Sequence, residues 1–160
     1  MVQMKKALYI AYGSNMDTEQ MAYRCPTAEL LGKSEMDGWQ LLFKGSLSGA
    51  YATVEKAEGY KVPVLVWAIT KLDEERLDRY EGFPHFYYKK TVTVLLDGKP
   101  RKAMVYIMHE NRPCGEPSYR YYTCIEDAYK KFGFDTAILD KALEDTISRE
   151  EYDDEETDAE

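Results

Sequence analysis

The segment Ala7-Leu8-Tyr9-Ile10-Ala11-Tyr12-Gly13-Ser14-Asn15-Met16 begins as a short β-type run and stops at three residues that favour turns and caps. Asp17 to Arg24 follows as a helix-compatible stretch, so the unit reads as strand, loop and helix. Pro26 ends that helix, since it has no backbone donor and disfavours helical geometry at Cys25 before it. Gly13 stands where backbone can approach a ligand, just ahead of a helix start whose first N–H groups are unpaired. Gly-Ser-Asn between a strand and a helix is also ordinary capping chemistry, and both readings stand on this segment alone.

Downstream of this unit, Trp39 to Phe43 and Tyr51 to Val54 read as strands divided by a loop over Gly45 to Gly49. Val62 to Ile69 reads as a buried strand bounded by turn signals. Leu72 to Tyr80 places apolar or aromatic residues at 72, 77 and 80 among charges, a spacing near the helical period, with Asp73 and Glu74 at the positive amino end. Thr91 to Leu96 and Lys102 to Met108 flank Asp97-Gly98, a strong hairpin signal. Tyr119 to Phe132 and Asp135 to Ile147 read as helices separated by Gly133, with Tyr122, Ile125, Tyr129 and Phe132 on one face and Asp135 as an amino-terminal cap. Strands thus precede residue 110 and helices close the chain, which predicts an α+β fold built on a curved, barrel-like sheet.

At 160 residues the chain suits one domain, expected over residues 1–148. The net charge of −8 is concentrated at the end, because Glu150 to Glu160 holds eight acidic residues and leaves 21 acidic against 21 basic elsewhere. Residues 149–160 are therefore expected to form a solvated, flexible acidic tail, with at most a weak contact to a basic partner. Basic residues are too scattered for nucleic acid. The longest apolar stretches, such as Val62 to Ile69, are far too short to cross a bilayer, and Met1 to Lys6 has no signal-peptide character, so a cytoplasmic protein without membrane contact is expected. Cys25, Cys114 and Cys124 are odd in number and show neither zinc nor redox spacing, so neither a disulfide framework nor a metal cage is indicated. His85 and His109 lack an accompanying nucleophile or ligand cluster and are given no role. The 14 tyrosines are the compositional anomaly: their rings suit a core, and also a wall that packs on one side and hydrogen-bonds on the other.

A second segment, Asp78-Arg79-Tyr80-Glu81-Gly82-Phe83-Pro84, puts a glutamate at a helix end before a glycine and beside aromatic residues. Glu81 is either a surface residue that ends a helix or a desolvated carboxyl, raised from its ordinary pKa of roughly 4.3 toward neutrality, where it can both take and give a proton.

Together the two segments resemble the gamma-glutamylcyclotransferase-like superfamily, whose pattern is a first-strand YGSN loop followed by Leu or Met, then a glutamate-glycine pair after a short helix. Here these read YGSNM and YEGFP, and Arg24-Cys25-Pro26, the strand over Gly38 to Phe43 and Val64-Leu65-Val66-Trp67 are similar in order and spacing. The likeness covers residues 7 to 145. It implies that Tyr12, Gly13, Ser14, Asn15 and Met16 hold the amino-acid end of a γ-glutamyl group and that Glu81 is the acid/base. It further implies that Tyr88, Tyr106 and Tyr119 line the pocket, with Tyr87 as the alternative to Tyr88. The reaction implied is closure of the γ-glutamyl group to 5-oxoproline with release of an amino acid or amine, without a metal or cofactor. A γ-glutamylamine cyclotransferase and a non-catalytic binding member of the same fold are the alternatives. The glutathione-specific group, which resembles YGSL, fits less well because Asn15 stands here. One departure is Val64, preceded by Pro63, where the family usually has a glycine, and it bears on the leaving group accepted.

Overall fold

A computed structural model describes residues 5–158, with side chains through residue 150. Its elements are β1 (Ala7–Ala11), a 3-10 turn (Ser14–Met16), α1 (Thr18–Arg24), β2 (Glu29–Lys44), β3 (Tyr51–Ile69), α2 (Lys71–Glu81), β4 (Tyr87–Leu96), β5 (Lys99–Met108), α3 (Tyr119–Phe132) and α4 (Ala137–Asp158). The five strands form one mixed sheet in the order β2-β3-β1-β5-β4, in which β1 and β5 are parallel and the other neighbours antiparallel. The two edges curl toward each other, so that the Ser34 hydroxyl of β2 donates to the Leu95 carbonyl of β4 at 2.5 Å. This is the expected α+β class with a curled, unclosed sheet.

Local sequence explains most of the joints. Asp97 and Gly98 both adopt positive φ, at 52° and 76°, as a two-residue hairpin turn requires. Ser118 accepts from the Tyr121 N–H at the start of α3, and Gly133 ends that helix in the left-handed region. The structure departs from the expected outline at several elements. β2 begins at Glu29, ahead of the strand read at 39–43, and β4 at Tyr87, ahead of the strand read from Thr91. The strands read at 51–54 and 62–69 are one element, β3, whose register against β2 jumps from Asp37↔Lys61 to Trp39↔Lys56. The extra residues bulge out around Gly59, whose φ of 85° favours glycine. Helix α4 continues well past Ile147, its backbone helical to Asp158. The side chains of 151–160, which carry most of the acidic segment, lie outside the described residues, as do Met1–Met4.

β1 is the central strand and sets the position of the site. It pairs with β3 from Ala7↔Ile69 to Ala11↔Leu65, so β3 ends beside the start of β1. Helix α2 begins two residues after β3, locked by a reciprocal capping box between Thr70 and Asp73 at 3.2 and 3.1 Å. Its 11 residues span about 16 Å, close to the length of the five-residue β1, roughly 17 Å. A helix that runs back alongside β1 therefore ends level with the loop that follows it.

Candidate active site

Side-chain contacts join the end of α2 to the loop after β1. Tyr80, near the end of α2, brings its hydroxyl within 3.4 Å of the Ser14 hydroxyl in the loop after β1. Glu81 is the last residue of α2, and its backbone is held by a Schellman closure. The Gly82 N–H donates to Arg79 and the Phe83 N–H to Asp78, with Gly82 left-handed at φ 63°. A side chain other than glycine at residue 82 would be strained in this conformation and would meet Phe86.

The loop and the helix end open onto a cavity of about 300 Å³, the lower end of the range for small-molecule sites. Gly13, Ser14 and Asn15 line one part, Glu81 and Gly82 another, and Tyr9, Tyr12, Tyr87, Tyr106 and Tyr121 much of the rest. The 3-10 turn uses Met16 N–H on the Gly13 carbonyl and Asp17 N–H on Ser14. Among the described residues the N–H groups of Gly13, Ser14 and Asn15 meet no protein acceptor and remain available.

Burial among these rings pushes the Glu81 carboxyl up to about 7, and the Arg24 guanidinium opposes this in part. Among the described residues none donates a hydrogen bond to that carboxyl. Arg24 is itself fixed, with its guanidinium 3.6 Å over the Tyr80 ring and bonded to Asn15 Oδ1. Because a guanidinium only donates, Asn15 must present its oxygen there, and its Nδ2 is left to donate to the Tyr9 hydroxyl at 2.9 Å.

The tyrosine hydroxyls differ in how they are used. Tyr12 donates to the Tyr106 carbonyl at 2.7 Å, Tyr87 to the Ala52 carbonyl at 2.8 Å, and Tyr106 to Asp78 at 2.5 Å. Those three hydrogens are engaged. Tyr9 and Tyr121 instead accept, from Asn15 and from the Ala52 N–H at 3.0 Å, and keep their own hydrogens for another acceptor. Burial raises both phenols above their ordinary range, so each is protonated at neutral pH.

Most residues that the sequence pointed to meet here: Tyr12, Gly13, Ser14, Asn15, Glu81 and Tyr106 all line the cavity. Met16 does not; it is fully buried beneath the loop and supports it from the core. Tyr88 and Tyr119 do not line it either. On β4 the side chains alternate, so Tyr87 turns inward while Tyr88 bonds to Glu110 outside, where burial and that carboxylate raise its phenol to about 12. Tyr119 opens α3 and is 86% exposed, whereas Tyr121, two positions on, reaches the cavity. The helical period carried this information: Tyr121, Ile125 and Ala128 follow at spacings of four and three, the inward face. No role follows for Arg24 or Asp78 from sequence alone, because each acts through a residue distant in the chain. Among the described residues no three His, Cys, Asp or Glu side chains converge to hold a metal ion.

The profile of the family described as "Gamma-glutamyl cyclotransferase, AIG2-like" matches residues 9–124, which include the loop, Glu81 and Tyr121. The chain belongs to this family. The Bos taurus gamma-glutamylcyclotransferase is 32% identical over 129 residues, 74% of this chain and 68% of that protein. The Homo sapiens protein of the same name is 29% identical over the same shares. A solved structure titled gamma-glutamyl cyclotransferase superposes with a TM-score of 0.75 at 28% identity and covers 87% of each chain. Relatives named for gamma-glutamyl chemistry are consistent with a small-molecule ligand in a cavity of this size. No helix among the described residues is long and apolar enough to cross a membrane.

Proposed function

We propose that this member of the gamma-glutamyl cyclotransferase family converts a γ-glutamyl compound to 5-oxoproline and the amino acid or amine bonded to it, with Glu81 as acid and base. The observation that carries the reading is a carboxyl raised to about 7 at the wall of a cavity that also holds the unpaired N–H groups of Gly13 to Asn15. A group poised near neutral pH is what a step that removes and returns a proton requires.

In the reaction the substrate's α-nitrogen attacks its own γ-carbonyl carbon. The new C–N bond closes the five-membered lactam, and the bond to the departing nitrogen breaks. The α-ammonium gives up one proton to become nucleophilic and another as the lactam amide forms, while the departing nitrogen takes protons up. Glu81 relays them: its carboxylate accepts from the α-nitrogen and its acid form donates to the leaving nitrogen. Because the nucleophile is tethered to the carbonyl, the cavity's main task is to hold the glutamyl chain in a ring-forming pose. The loop N–H groups supply donors for the substrate carboxylate. Tyr121, whose hydrogen is uncommitted, supplies a donor for the carbonyl oxygen as negative charge develops on it.

A non-catalytic binding module of the same fold is the rival reading, and the neutral-range carboxyl disfavours it. The test is release of 5-oxoproline by the purified protein from a panel of γ-glutamyl amino acids and γ-glutamylamines. Product from at least one of them supports the reading, and its absence from all of them, with the protein folded, contradicts it.

A further inference from the structure

The cavity is graded from a closed polar floor to an open aromatic rim. Tyr9, Tyr12 and Asn15 on the floor are buried, whereas Tyr80 and Tyr51 are 46% and 48% exposed. A γ-glutamyl head that needs polar partners is therefore seated inward, and the group it is bonded to extends toward Tyr51 and Phe86.

The Tyr51 ring is braced. It meets Phe86 edge-on at 6.3 Å and 86°, and Tyr121 at 5.3 Å and 90°. Phe86 in turn packs on Tyr87 at 5.3 Å and lies 4.5 Å beneath the Arg112 guanidinium, which is tethered to the His85 carbonyl at 3.3 Å. The backbone before Tyr51 is strapped to the 113–116 segment by Gly45 N–H to Pro113, Ala50 N–H to Glu116 and Gly115 N–H to Phe43. Glycine is required at both crossings. A Cβ at Gly45, where φ is 104°, would lie 2.7 Å from the Phe86 ring, and one at Gly115 would lie 1.8 Å from the Ser46 carbonyl oxygen. A half-exposed ring held this firmly at a cavity mouth is a preorganised apolar surface that loses little freedom when covered.

We propose that the departing half of the substrate carries an aromatic or large apolar side chain, which packs on Tyr51 and Phe86. This deepens the cyclisation reading and rests on it for the placement of the γ-glutamyl head.

The experiment compares γ-glutamyl-phenylalanine with γ-glutamyl-alanine. On the wild type, kcat/KM for the phenylalanine compound should be higher by about tenfold or more. Tyr51→Ala should reduce that ratio to about threefold or less, and Tyr51→Phe, which keeps the ring, should retain it. The same two compounds are titrated calorimetrically into Glu81→Gln, where the preference is read as a ratio of Kd values without turnover. A wild-type ratio near one, or a ratio that folded Tyr51→Ala leaves unchanged, overturns the proposal, as does failure of both compounds to bind. If neither compound yields 5-oxoproline but Glu81→Gln still binds the phenylalanine compound more tightly, the rim assignment stands and the cyclisation reading fails.

Discussion

The Tyr106 hydroxyl donates a 2.5 Å hydrogen bond to Asp78 Oδ1, three residues before Glu81 on the same helix. Lys89 holds the same carboxylate from β4 at 2.9 Å and sits 4.4 Å over the Phe83 ring just past the helix end. The Asp78 carbonyl also receives the Phe83 N–H that closes α2. One residue thus ties the cavity floor, the neighbouring strand and the helix terminus that carries Glu81. Asp78→Ala releases all of its side-chain ties, and a carboxyl displaced by about an ångström can lose about 10²-fold in rate. The expected result is a kcat at least about tenfold lower with KM changed by less than about threefold, and partial rescue in Asp78→Asn, which still accepts from Tyr106. Steady-state kinetics on the three proteins checks this, and a loss confined to KM would count against a positioning role.

Two tyrosines hydrogen-bond the Ala52 backbone, and only one of them has a hydroxyl hydrogen left for the substrate. Tyr87→Phe removes the donor to the buried Ala52 carbonyl and should cost about 1–3 kcal/mol of stability by denaturant titration. Tyr121→Phe removes the hydrogen assigned to the substrate carbonyl together with the acceptor for the Ala52 N–H, so it should lower kcat by about 10- to 10³-fold and also cost stability. A large kcat loss in Tyr87→Phe with none in Tyr121→Phe would reverse the hydroxyl assignments.

Arg24, bonded to Asn15 and stacked on Tyr80, lowers the Glu81 pKa against the larger upward push of burial. Only the ionised carboxyl can accept a proton, so kcat/KM should rise with pH through an acid limb near 7. Arg24→Gln removes the positive charge and should move that limb to higher pH. A pH profile that does not move would remove Arg24 from the tuning of Glu81.

Much of this architecture was legible because local chemistry decided it. The Asp97-Gly98 turn, the Ser118 cap with Gly133, and the glutamate-glycine end of α2 are each set by residues adjacent in sequence. What escaped depended on partners far along the chain. The bulge at Gly59 follows from two strands keeping register on both sides of a misfit, and neither strand shows it alone. Tyr87 and Tyr88 carry the same side chain on opposite faces of β4, and only the fold says which face is inward. Arg24 is identified as a site residue by Tyr80 and Asn15, the first of them 56 positions away.

Stability should carry the mark of Glu81 as well. Its folded pKa of about 7 lies above the ordinary range of roughly 4.3 to 4.5, so in between the folded state retains a proton that the unfolded chain has released. Stability contributed by this group is therefore lost as pH rises from 4.5 toward 7. Glu81→Gln cannot ionise, so its Tm should gain on the wild type across that window and hold the gain at higher pH. A Tm difference that stays constant from pH 4 to 8 would show that the carboxyl is not raised.

Release of 5-oxoproline by Glu81→Gln shows whether Glu81 moves the protons of the cyclisation. Glutamine keeps the side chain's size and its place at the helix end, but it cannot take a proton and return it. General acid/base catalysis contributes about 10²- to 10⁴-fold, so kcat should fall by at least about 10², while the variant stays folded and binds the substrate with little change in Kd. Turnover of a confirmed γ-glutamyl substrate by folded Glu81→Gln at near the wild-type rate would remove Glu81 from the proton transfers.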